Sequence, residues 1–191
     1  MNVKEVALLA LAGFLLHGCA APLIVGGAAG TAAVSQDRRS AGAMVDDQTI
    51  EMKAQGALAE DPELEQSARV VVTSFNGVIL LAGQAPDERL KARAEDIVRG
   101  LRGVRELRNE MTVGEPIPLG VRSHDTMITA NVKSRLLADR ATEGSKIKIV
   151  TENGVVYLMG LLSRAEGNAA ANVASHTPDV QRVIKIFEYT H

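Results

Sequence analysis

Few residues of this chain stand where covalent or metal chemistry could use them. It has one cysteine, Cys19, and four histidines, His17, His124, His176 and His191, which excludes an internal disulfide or a thiolate metal site and shows no metal-ligand spacing. No nucleophile has a histidine at a recognised spacing, no glycine-rich loop opens a helix in a nucleotide-binding pattern, and no H-E-x-x-H occurs. The adjacent carboxylates Asp46 and Asp47 come nearest to an acid–base pair, and capping of a helix accounts for them. The expectation is therefore a protein with no catalytic residue, metal or cofactor.

What remains is the chemistry of a surface. Met127, Ala130, Ser134, Leu137 and Ala141 follow one another at i, i+3, i+7, i+10 and i+14, a stripe on the side of a helix opposite Ile128, Val132 and Leu136. Lys133 and Arg140 flank it. An apolar strip bordered by cations suits an anionic phospholipid surface such as phosphatidylglycerol or cardiolipin, the basic groups meeting phosphates while the apolar side chains enter the interface. The candidate lipid-binding set is Met127, Ala130, Lys133, Ser134, Leu137 and Arg140. Two other readings stay open: the strip packs against the first of the chain's two domains, or these are scattered surface residues without a role.

The elements that position this helix come from an internal duplication. Residues 70–83, VVVTSFNGVILLAG, return at 147–160 as IKIVTENGVVYLMG. Asn-Gly tolerates the positive φ angles of a two-residue type I′ turn, so each copy reads as a tight antiparallel hairpin turning at Asn76 and Gly77 or Asn153 and Gly154 and closing on Gly83 or Gly160. In the first copy a helix capped by Asp46 or Asp47 carries Ile50, Ala54 and Leu58 and ends near Asp61-Pro62. The hairpin follows at about 69–83. A second helix from Pro86-Asp87 to about Arg99 buries Leu90, Ala94, Ile97 and Val98, and residues 104–113 alternate as a half-exposed strand. The second copy repeats the order: helix at about 124–138, strands at about 146–151 and 155–160, helix at about 164–176, strand at about 180–189. Each copy is αββαβ, two helices packed on a three-stranded sheet in an α+β fold. The linker GEPIPLG is short and stiff, so the two modules touch.

Composition agrees with two small cores in 191 residues, 46% of them hydrophobic, and the formal net charge of -2 supplies no field for nucleic acid. Aromatics make up 3% with no Trp, too few for base- or sugar-stacking platforms.

At the N-terminus, Lys4 precedes an apolar run from Val6 to Leu16, shorter than the ~20 residues a bilayer span needs. It ends Leu16-His17-Gly18-Cys19, which resembles the bacterial lipoprotein signal, with Cys19 as the acylated first residue of the mature chain. Several acyl chains at ~0.8 kcal/mol per buried CH₂ make a stable anchor. Ala20 rather than Asp after the cysteine implies, by that resemblance, sorting to the outer membrane with the globular part in the periplasm. Residues 20–45, rich in Ala and Gly, read as a flexible tether. The expected divisions are thus a signal at 1–18, the acylated tether at 19–45, a first module at 46–113, a linker at 114–122 and a second module at 123–191.

The αββαβ plan, the Asn-Gly-Val hairpins closing on Gly83 and Gly160, and the Asp-x-x-Ile helix starts (Asp47 to Ile50, Asp125 to Ile128) resemble the BON domain. Two such domains behind a lipoprotein signal resemble dual-BON outer-membrane lipoproteins over nearly the whole chain. The resemblance implies a non-enzymatic protein with an anionic-phospholipid site on the first helix of its second domain, support of outer-membrane integrity, division-site localisation, and links to septal peptidoglycan remodelling and outer-membrane assembly. It implies an aromatic beside the helix-start Ile where this chain has Met127, hence shallower insertion. The alternative function is a protein-binding adaptor for assembly or division machinery, using the same strip.

Overall fold

The computed structural model describes residues 38–190, so Cys19, the signal and most of the tether lie outside the described residues. Helix α1 (Ala41–Ala59) begins five residues before Asp46, because Ser40 takes the capping position and its hydroxyl accepts from Ala43 N at 3.1 Å. A short helix α2 (Pro62–Ser67), absent from the expected order, follows. Asp61 caps it by accepting from the backbone N–H groups of Glu63 and Leu64 at 3.1 and 3.2 Å, with Pro62 at its first turn.

Strands β1 (Arg69–Phe75) and β2 (Val78–Ala85) form the first hairpin, in register from Arg69 opposite Gln84 to Phe75 opposite Val78. Helix α3 (Glu88–Arg99), capped by Asp87, carries the chain over to β3 (Glu106–Asn109), which pairs parallel with β2; after a break at Glu110-Met111, β4 (Thr112–Val113) resumes along the same strand. The second module consists of helix α4 (Leu119–Ala138), a 3₁₀ turn (Gly144–Lys146), β5 (Lys148–Glu152), β6 (Val155–Leu162), α5 (Arg164–Ser175) and β7 (Arg182–Tyr189), the last parallel to β6. Both Asn-Gly turns have the expected left-handed angles: φ is 54° and 75° at Asn76 and Gly77, and 50° and 72° at Asn153 and Gly154.

Each module buries a core between its two long helices and one face of its sheet. Ile50, Ala54, Leu58, Ile79, Leu81, Leu90, Ala94 and Val98 fill the first, and Ile128, Val132, Leu136, Val156, Leu158, Ala170 and Ala174 the second. The opposite faces of the two sheets close on each other. Phe75, Val78, Leu80 and Ala82 meet Tyr157, Met159 and Ile186 in a third core between the modules. The pair is therefore layered helix, sheet, sheet, helix, and the central strand β2 is buried along its whole length, as a continuous apolar run of this kind requires. Burial between the sheets pushes the Tyr157 hydroxyl up to about 12.

Polar groups rim this seam. Buried Glu152 accepts from Arg69 Nε at 3.0 Å and Gln84 Nε2 at 3.1 Å. Lys148 Nζ donates to Glu51 at 2.7 Å and to the Ser74 carbonyl at 3.1 Å, and Glu188 accepts from Asn76 and Arg105 at 2.8 and 2.9 Å. Arg38, at the start of the described chain, makes a two-pronged pair with Glu166 at 2.7 and 2.8 Å, and so ties the approach to α1 onto the second module.

Candidate functional site

Two buried carboxylates set the position of the first helix in each module. Asp47, expected as a cap, lies inside α1 and accepts from Ser74 Oγ (2.6 Å), Gly77 N (2.8 Å), Asn76 N (2.7 Å) and Arg39 (2.7 Å). Asp125 repeats the arrangement from α4, accepting from Asn153 N and Gly154 N, both at 2.8 Å. The amides at the tip of an Asn-Gly turn face outward and need a partner when buried, and a carboxylate three residues before the core isoleucine reaches them. Burial alone raises the Asp47 carboxyl, but the hydrogen bonds from Ser74, Gly77, Asn76 and Arg39 outweigh it and hold the group below its ordinary value. Asp47 is consumed by this structural role; Asp46 beside it is exposed.

With Asp125, Ile128, Val132 and Leu136 turned inward, α4 presents the predicted strip outward. Met127 is 63% exposed and Leu137 58%; Ala130 and Ser134 between them are exposed as well. Packing of this strip against the first module, one of the readings left open, is overturned, since the modules meet through their sheets instead. The helix begins at Leu119 rather than near His124, with Pro118 as the preceding extended residue. That earlier start adds Leu119, which is 74% exposed. Leu119 and Leu137 are eighteen residues apart, about five turns, so they share one azimuth and the strip runs roughly 27 Å. Sequence reasoning missed Leu119 because Gly120 read as linker; Pro118, a residue that favours helix starts, was the available signal.

At the other end the helix stops at Ala138, where Asp139 turns extended (ψ 125°). Ala141 and Arg140, assigned to the helical stripe and its border, therefore lie in the following turn. Arg140 is exposed. Lys133 is half-buried, and its ammonium donates to the carbonyls of Gly144 at 2.8 Å and Ile147 at 3.0 Å; two of its three N–H groups are thus used on the loop beside α4. Desolvation lowers its affinity for a proton.

The exposed surface of α4 carries no carboxylate, because its single acidic residue, Asp125, is the buried turn ligand. Arg122 and Arg135 add positive charge along the helix. The equivalent helix α1 also exposes apolar residues, Val45 at 65% and Met52 at 61%, with the exposed Asp46 carboxylate beside Val45. The α4 face, without a carboxylate, is the better matched in charge to an anionic surface.

Gly83 and Gly160, expected to permit close packing, occupy matching places with different demands. At Gly83 φ is 118° and an added Cβ would lie 1.9 Å from the Arg69 carbonyl oxygen; at Gly160 the nearest atom, the Lys146 carbonyl oxygen, is 3.2 Å away. Among the described residues no group of three His, Cys, Asp or Glu side chains is placed to hold a metal ion, and no helix is long and apolar enough to cross a membrane.

Known proteins share this architecture. The family model described as BON domain matches twice, over residues 46–115 and 124–190. The chain is 38% identical over 187 residues to the outer membrane lipoprotein DolP of Haemophilus influenzae, covering 98% of this chain and 96% of that protein. It is 42% identical over 153 residues to a 21 kDa hemolysin of Actinobacillus pleuropneumoniae (80% and 79% of the two chains). Osmotically-inducible protein Y of Escherichia coli is 26% identical over 153 residues (78% and 76%).

Proposed function

The chain belongs to the BON-domain family, and from that membership we propose that it is a non-enzymatic envelope protein, anchored in the outer membrane through acylated Cys19 and facing the periplasm, which engages anionic phospholipid through α4. The observation that carries this reading is the strip Leu119, Met127, Ala130, Ser134 and Leu137: more than half of each large side chain is exposed, on a helix surface without a carboxylate. An interfacial helix binds by burying such a face below the headgroups while neighbouring cations meet phosphate. The acyl anchor makes the contact intramolecular, so a weak helix–lipid affinity suffices to enrich the protein where anionic lipid is dense. By similarity to DolP, whose name describes an outer membrane lipoprotein, the reading extends to support of envelope integrity, with action at the division site.

The test is flotation of soluble residues 34–191 with vesicles of phosphatidylglycerol or cardiolipin against neutral vesicles. The proposal expects binding to the anionic vesicles alone and its loss in Met127→Asp and Leu137→Asp. Unchanged flotation in both variants removes the strip from lipid binding and favours the adaptor reading, in which α4 docks an assembly or division protein.

A further inference from the structure

A cleft of about 440 Å³ opens where the approach to α1 meets the edge of the second sheet. Four cations line it, Arg39, Lys133, Lys146 and Lys148, and no carboxylate does. Three of them are paired with acids outside this lining: Asp47 holds Arg39, Glu51 holds Lys148 and Glu143 holds Lys146, at 2.7, 2.7 and 2.9 Å. Lys133 is bonded to backbone carbonyls instead and keeps one N–H in hand.

The wall is rigidly built. Gly144 lies so close to α4 that a Cβ there would stand 2.4 Å from the Leu136 carbonyl carbon, and Thr142 Oγ1 donates to the Leu136 carbonyl at 2.6 Å. The loop is thus pressed against the end of α4, and Lys133 is fixed against that loop. The Ser145 hydroxyl at the rim makes no hydrogen bond among the described residues, while Phe75, Ile147 and Ile149 supply apolar flanks.

We propose that this cleft is a seat for a phosphodiester anion, in which Lys133, Lys146 and the Ser145 hydroxyl bind the phosphate oxygens. The apolar flanks suit the glyceryl carbons of such a diester. An anion seated beside Lys133 also opposes the desolvation that lowers its affinity for a proton. Because Lys133 and Thr129 belong to α4, the cleft borders the helix that carries the strip. The inference rests on the membrane reading for the source of the diester, a phosphatidylglycerol-type headgroup, and on the cleft alone for the chemistry.

The test is an NMR titration of residues 34–191 with glycerophosphoglycerol, the deacylated headgroup, and separately with inorganic phosphate at equal ionic strength. Saturable shifts centred on Ser145 and Lys146 are expected with the diester, weaker with inorganic phosphate, and absent in Ser145→Glu, which brings a carboxylate to the rim at an exposed position. Lys146→Gln, a milder change on the same wall, is expected to weaken diester binding about tenfold, the loss of one charge-assisted hydrogen bond. Leu137→Asp is expected to abolish vesicle flotation and leave the diester shifts intact. Absence of saturable shifts, or shifts unchanged in Ser145→Glu, overturns the seat. Equal response to inorganic phosphate overturns the lipid source. Diester binding without any vesicle binding by the wild-type chain overturns the membrane reading and leaves the seat standing.

Discussion

Replacing Leu119, Met127 and Leu137 together by serine strips α4 of its large exposed apolar side chains without touching its core. Full burial of a Leu or Met side chain contributes about 2 kcal/mol. With 74%, 63% and 58% of each exposed in the free protein, about 1.5, 1.3 and 1.2 kcal/mol remain to be gained on entering a lipid interface, about 4 kcal/mol together. At 1.4 kcal/mol per decade, the triple variant loses up to about three orders of magnitude in partition onto anionic vesicles, and Leu137→Ser alone about sevenfold. The assay is sedimentation of residues 34–191 with phosphatidylglycerol vesicles over a lipid titration, with the thermal transition measured alongside. Since all three side chains face solvent, the transition is expected to move little. A triple variant that binds within twofold of wild type refutes the assignment of the strip, and one that loses binding only together with its fold refutes the separation of strip from core on which the calculation depends.

Three further outcomes follow from the scaffold. Asp125→Ala leaves the buried Gly154 amide and the part-buried Asn153 amide without their acceptor and is expected to lower stability by about 2–4 kcal/mol in denaturant titration, about 1–3 kcal/mol for the buried group and about 1 for the part-buried one; Asp47→Ala, which frees four donors, is expected to cost more. Gly83→Ala meets both a left-handed φ and a backbone oxygen at 1.9 Å, whereas Gly160→Ala meets its nearest atom at 3.2 Å, so calorimetry is expected to show Gly83→Ala as much the more damaging of two substitutions at the same place in the repeat. The hydrogen bonds from Arg38 hold the Glu166 carboxyl down to about 2; its folded value is below the unfolded one, so the pair stabilises above about pH 4.5 and that contribution fades as pH falls toward 2. Glu166→Gln is then expected to lower the melting temperature at neutral pH and narrow its gap to wild type between pH 4.5 and 2, the effect being about 1 kcal/mol for a partly exposed pair.

The sequence disclosed the repeat, both hairpins and the core stripes because each has a period that local chemistry sets: Asn-Gly for the turn, Ile50, Ala54 and Leu58 or Ile128, Val132 and Leu136 at fourfold spacing for the helix faces. The boundaries were less legible. Ser40 outcompetes Asp46 and Asp47 for the cap of α1 because Asp47 is drawn to a turn some thirty residues on, and no local pattern reports that tertiary demand. The same holds for Leu119, hidden behind a glycine, and for Lys133, whose ammonium is claimed by the loop after α4. The sheet-to-sheet core was half visible. The run from Val78 to Ala85 has no polar face, and a strand apolar on both sides must be covered on both, yet nothing in the run says that the second module covers it. Of the candidate site, Met127, Ala130, Ser134 and Leu137 stand on the exposed face of α4 as periodicity placed them; Arg140 fell outside the helix because its end depends on the extended backbone of Asp139.

The proposed role of this protein requires that α4 enter an anionic interface. The chain contains no Trp, so Leu137→Trp in residues 34–191 creates a single tryptophan reporter on α4, excited apart from the tyrosines, and Met52→Trp, in a separate variant, its counterpart on α1. Vesicles of phosphatidylglycerol carrying brominated acyl chains are expected to shift the emission of the Leu137→Trp variant to the blue and quench it, and to leave the Met52→Trp variant unchanged; neutral vesicles are expected to alter neither. Emission from the Leu137→Trp variant that stays that of a water-exposed indole while the protein sediments with the anionic vesicles would contradict the claim.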